Sequence, residues 1–158
     1  LELLGDAERF TVQGNLVSAL REAIAGLSEE QLRVPETRGK WSILQVIEHL
    51  MDAELIHNYR VRMILAHDEP QLLGWDQDAF VERLRYDQTD VAQALSELEM
   101  LRDRNLRLLR MLSPEERARA GIHSVRGRES IDEIIKLTAG HDLVHRRQVD
   151  RIRKKVAG

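Results

Sequence analysis

The pair with the clearest chemical meaning is His141 and His145, in the stretch AGHDLVHRRQ near the chain end. Residues four apart on a helix lie one turn apart and face the same way. Two imidazoles at that spacing can reach one metal ion. They also interrupt an apolar stripe through Ile134, Leu137 and Ile152, where burying imidazole is costly unless it is paired or bound. Neutral imidazole is a good ligand for zinc, nickel or iron. Two protein ligands make a weak site, and His49 is the best candidate for a third. Its neighbours Val46, Leu50 and Ala53 put it at the edge of the core-facing side of another helix. Three histidines with one open position form a recognised catalytic arrangement, able to activate bound water or another nucleophile. A helical histidine pair is more often surface or satisfied core, so spacing alone leaves both readings open.

The zincin motif is not met, because His141 is followed by Asp142 where that motif has Glu. Asp52 and Glu54 are candidates to orient a ligating histidine through its other nitrogen. Glu48 also borders His49, and Asp142 should point partly away. For each carboxylate the plain alternative is a solvated helix face. Arg62 and Arg146 could hold an anionic substrate or form surface ion pairs. His57, His67 and His123 are less promising: two turns from His49, near a helix end, and in a loop. Trp41 should pack under the start of its helix, while Trp75 should wall a pocket or anchor a loop.

Four long amphipathic helices must position these groups. The first spans about residues 10–25, with Leu16, Leu20 and Ile24 at helical spacing. The second starts at Ser42, where Ser42 and Gln45 form a capping-box pair, and ends near His67 before Pro70. The third runs from Asp90 to Met111, and the fourth from Ser130, capped with Glu133, through Ile152. Ser28 with Gln31 and Ser113 with Glu116 mark two short helical turns. A short helix is expected around Asp78 to Leu84 and an extended piece at Ile122 to Val125. The pattern predicts an all-α, antiparallel four-helix bundle, one domain over residues 1–158. The long passages after helices two and three leave room for crossover connections that could frame a pocket.

Composition narrows the chemistry. The chain has 158 residues and no cysteine, so disulfides, thiolate nucleophiles and cysteine-ligated metals are excluded. A formal net charge of −3 argues against broad nucleic-acid binding. The basic tail HRRQVDRIRKK suits a helix C-terminus. No apolar run approaches a membrane span, and no signal peptide is visible, so a cytoplasmic protein is the expectation.

Two stretches resemble a known family. GKWSILQVIEHLMDAE, residues 39–54, is similar to the second-helix entry of the DinB-like superfamily: Trp41 and Ser42, then His49 and Leu50, then acidic Glu54. AGHDLVHRRQVDRI resembles that family's closing helix, with His141, His145, Gln148 and Val149. The resemblance implies a four-helix bundle with unusual connectivity and a metal site made from His49, His141 and His145. It also implies a thiol-dependent transferase using a low-molecular-weight thiol such as bacillithiol or mycothiol, or a related isomerase. A metal-bound thiol ionises readily, and the chain need not supply a cysteine. The alternatives are a metal-dependent hydrolase, or a non-enzymatic stress-related helical protein with a structural or vestigial metal. A divalent ion (zinc or nickel), a small-molecule substrate and homodimerisation are expected. Nothing supports polymerase or DNA-repair chemistry.

Overall fold

The computed structural model describes residues 6–158. Residues 1–5, included in the one-domain expectation, lie outside the described residues. The first bundle helix is two pieces, α1 (Asp6–Gly14) and α2 (Leu16–Ile24), meeting at Asn15. A one-turn helix α3 (Glu29–Arg33) leads to α4 (Ile43–Ala66). Next come strand β1 (Gln71–Leu72), α5 (Gln77–Arg83), a 3-10 turn over Tyr86–Gln88 and α6 (Val91–Met111). The chain closes with α7 (Pro114–Ala118), β2 (Ala120–His123), β3 (Gly127–Ser130) and α8 (Ile131–Val156).

Each expected Ser-x-x-Glu/Gln signal forms a reciprocal capping box: Ser28 with Gln31, Ser42 with Gln45, Ser113 with Glu116 and Ser130 with Glu133. In each, the serine oxygen accepts from the fourth residue's amide, and that residue's side chain accepts from the serine amide, so two end donors are satisfied together. The start of α4 and the start of α8 are thereby fixed, and with them the heights of His49 and His141.

The helices are not uniformly antiparallel. Residues 43–50 of α4 pack with 91–98 of α6 in one apolar cluster, while Val61 and Ile64 pack with Leu106 and Leu109 in the other. Hence α4 and α6 run parallel. The connection over residues 67–90 makes this possible by returning along the bundle, as a crossover must. In contrast, α8 runs antiparallel to α4: His49 meets His141, His57 meets Thr138, and Ile64 shares a cluster with Ile131.

A small sheet was not expected beyond the extended piece near Ile122. β2 and β3 form an antiparallel hairpin, turned at Gly127 with a φ of +78°, and β1 joins β2 in parallel. A side chain at Gly121 would bring its Cβ within 2.7 Å of Leu72 and 2.8 Å of the Pro70 carbonyl. The missing Cβ is what lets β1 approach. The Arg119 guanidinium donates to the carbonyls of Ile64 and His67, closing the end of α4.

The apolar interior is in two parts, one at each end of the bundle. The first centres on Leu16, Leu20, Ile47, Leu98 and Ile152, and the second on Ile64, Leu109, Ile131 and Ile135. Each fully buried Leu or Ile contributes about 1.5–3 kcal/mol. At intermediate height lie buried polar groups instead: Gln13, Glu54, Arg102, Asn105, Thr138 and Asp142. The histidines occupy this polar layer. No helix among the described residues is long and apolar enough to cross a membrane.

Candidate metal centre

His49 projects from the middle of α4, and His141 and His145 from successive turns of α8. One ring nitrogen from each lies within 4.8 Å of the others. The Nε2 atoms of His49 and His141 face each other at 2.8 Å. Two imidazole lone pairs cannot approach so closely unless a proton or a cation lies between them. His145 is oriented from behind: its Nδ1 lies 2.8 Å from the Gln148 carboxamide oxygen. That oxygen can only accept, so Nδ1 carries the proton and Nε2 keeps its lone pair for the cluster.

Burial makes the rings poor bases. It pulls His49 and His141 down to about 3, with the His145 ring reinforcing both shifts. Burial lowers His145 as well. The imidazoles are therefore neutral at ordinary pH, the form that ligates metal. Three uncharged nitrogens, one held in the ligating tautomer, fit a borderline divalent ion such as zinc or nickel.

Residues 16–149 match the sequence profile of the DinB superfamily. The chain belongs to that superfamily. Among its relatives, "Putative metal-dependent hydrolase OB0782" of Oceanobacillus iheyensis is 28% identical over 141 residues, 89% of this chain and 81% of that protein. A protein of Bacillus cereus, also named as a putative metal-dependent hydrolase, is 27% identical over 142 residues, 90% of this chain and 82% of its own length. The fold is that of YfiT from Bacillus subtilis, described as a probable metal-dependent hydrolase with an unusual four-helix bundle topology. The TM-score is 0.89 at 21% identity, over 99% of this chain and 92% of YfiT. The all-α, DinB-like bundle expected from the sequence is thus the fold observed. The link to thiol-dependent transferases draws no support from these relatives, whose names speak of hydrolysis.

The histidine cluster of this DinB-superfamily chain sits between two cavities. One, of about 870 Å³, reaches it through Trp41, His145 and Gln148. The other, of about 550 Å³, reaches it through Trp75, His57 and His141. Gln77 at the start of α5 and Val144 on α8 border both. Aromatic rings cover the cluster. Trp41 lies nearly parallel to His145 at 6.3 Å, and Trp75 nearly parallel to His49 at 5.4 Å, with Phe80 in edge contact with Trp75 at 4.8 Å. Trp41 therefore does more than pack under the start of α4, and Trp75 walls a pocket. Leu137, placed on the apolar stripe by periodicity, is exposed, as is Val144, and both border the second cavity.

The carboxylates go elsewhere. Asp52 accepts a hydrogen bond from the Tyr86 hydroxyl. Glu54 accepts from Arg102 at 2.8 Å and from Asn105 at 3.3 Å. Neither bonds an imidazole of the cluster. Asp142, expected to point partly away on a solvated face, is buried and takes two hydrogen bonds from Arg102, at 2.6 and 3.1 Å. Glu54, Arg102 and Asp142 thus form a buried triad joining α4, α6 and α8. Burial pushes the Asp142 carboxyl up to about 6 even against the pull of Arg102. Arg62 donates to the Asn58 carbonyl and lines a separate surface hollow with Arg104 and Arg107. His67 caps α4 away from the site. His57 and His123, the less promising histidines, both line the second cavity.

Proposed function

We propose that this protein is a metal-dependent hydrolase whose ion is held by His49, His141 and His145. One observation carries the reading: three neutral imidazoles converge, two of them nose to nose at 2.8 Å, where cavities meet. A zinc or nickel ion bound there would acidify water and polarise a carbonyl or phosphoryl oxygen. The chain's own residues do the rest. Gln148 holds the His145 tautomer. Trp41 and Trp75 flank the rings and shield them in part from bulk water, which strengthens the electrostatic contacts between them. Asp52 and Glu54 act at a distance, fixing α4 against Tyr86 and Arg102 so that His49 cannot drift.

Metal analysis of purified wild type and His141→Ala tests the site. We expect about one ion per chain in wild type and a large loss in the variant; equal content in both overturns the assignment. The chain's two tryptophans both stack on ligand candidates, so metal titration should also change intrinsic fluorescence.

A second reading keeps the same ion and replaces water with a low-molecular-weight thiol as the nucleophile. The two cavities bordering one cluster favour it, because a transferase needs room for two substrates. Metal-loaded protein assayed on activated esters, with and without a panel of thiols, separates the readings. Turnover without thiol supports hydrolysis; turnover only with thiol supports transfer.

A further inference from the structure

Two arginines, Arg60 and Arg126, line the otherwise largely apolar cavity beside His141. Arg60, on α4, is only 4% exposed, yet among the described residues its one side-chain hydrogen bond goes to a neutral acceptor, the Leu73 carbonyl. No carboxylate forms a salt bridge with it. The buried Glu129 carboxylate acts on it only at a distance, and a buried guanidinium with five donors and no directly paired carboxylate is costly. Arg126, from the hairpin turn, lies near enough that the two cations disfavour each other. Arg126 is already paired with Glu129 at 2.6 Å, so this one carboxylate faces two guanidiniums and a net positive charge remains, with Arg60 the one lacking a direct ionic partner.

His123 adds a fixed donor. Its Nδ1 accepts from the backbone amides of Val125 and Arg126 at 3.1 and 3.3 Å. The ring proton must then sit on Nε2, which has no protein acceptor among the described residues. Arg60, His123 and Arg126 all line the cavity that His141 borders, and its volume of about 550 Å³ suits a small organic molecule.

We propose that this cavity binds the anionic group of the substrate, a carboxylate or a phosphate, with Arg60 as the main anchor and His123 and Arg126 beside it. The proposal rests on the three-histidine reading only for what happens at the other end of the substrate. A charge-assisted, forked guanidinium contact both binds and orients an acid. The reacting bond would then lie on the His141 side of the cavity, with the anion held away from the ligands.

The test is calorimetric titration of metal-loaded protein with succinate and, separately, inorganic phosphate. Wild type, Arg60→Gln, Arg126→Gln and the remote control Arg62→Gln are compared, and metal content is measured for each. We expect undiminished metal in all four, binding weakened at least tenfold in Arg60→Gln, a smaller loss in Arg126→Gln, and wild-type binding in Arg62→Gln. Preference for succinate or for phosphate identifies the acid. Wild-type protein that binds neither anion, or Arg60→Gln and Arg126→Gln that bind both as wild type does, overturns the proposal. Repeating the titration on His141→Ala keeps the two readings apart. Arg60-dependent binding that survives loss of the metal supports the anion site even if the metal reading fails.

Discussion

Replacing Arg102 with Met should expose how the polar layer is balanced. The guanidinium is the only cation of a buried triad with two carboxylates. It also donates to the Gln13 carbonyl at 2.9 Å, so it ties α1 to α4 and α8. Met fills much of the volume but leaves Glu54 and Asp142 facing each other without a cation. Stranding a buried partner in this way costs about 3–5 kcal/mol, a large share of a typical domain's stability. The penalty should depend on pH. Asp142 already stands at about 6 with Arg102 beside it, and without that cation it rises further. The folded variant then binds a proton that the unfolded chain, with an ordinary aspartate, releases. Its deficit relative to wild type is therefore largest near pH 7.5 and shrinks as the pH falls toward 5. Urea unfolding of metal-free wild type and Arg102→Met at both pH values measures this. Adding Glu54→Gln and Asp142→Asn to the variant should recover part of the loss. A deficit under about 1 kcal/mol at pH 7.5, or one that grows on acidification, would refute the reasoning.

Metal-free wild type should lose stability in acid through His49. Its folded value of about 3 lies below its ordinary 6.5, so the unfolded chain takes up a proton first and the loss reaches about 2 kcal/mol by pH 5. Asp142 works in the opposite direction, and His141 and His145, lowered as well, keep their own shares, so His49→Gln should remove only the His49 share of the slope; denaturant melts of the two proteins that change identically with pH would contradict this. Gly121→Ala should cost about 1–3 kcal/mol, because its Cβ would crowd Leu72 and the Pro70 carbonyl. A thermal melt unchanged from wild type would mean that β1 has slack to move.

The sequence showed the ends of helices better than their middles. Four Ser-x-x-Glu/Gln pairs announce helix starts through local hydrogen bonds, and all four form. The convergence of His49 with His141 and His145 was legible because helical spacing and two short motifs point to the same three residues. The parallel pairing of α4 and α6 was not legible, since nothing local says whether a long connection turns back at once or travels the bundle. Arg102 and Asp142 look like outer-face charges in an amphipathic pattern, and Glu54 reads as a partner for a ligating histidine, not for an arginine. Only a tertiary fold can bring two acids and a base from three helices into one dry pocket. The same blindness hid Arg60, an ordinary charge on α4 until Leu73 and the hairpin close over it. The sheet escaped because β1 is two residues long and depends on a glycine far along the chain.

His49 and His141 are 92 positions apart. An ion gripping both would tie a loop of that length, and a cross-link of this span removes unfolded-state entropy worth on the order of 4–5 kcal/mol. A chain without a single cysteine would thereby possess a staple that is reversible and answers to metal supply instead of redox state. Its resistance to unfolding would then rise with the free ion concentration, so scarcity of the ion would threaten the persistence of the folded protein as well as its catalysis.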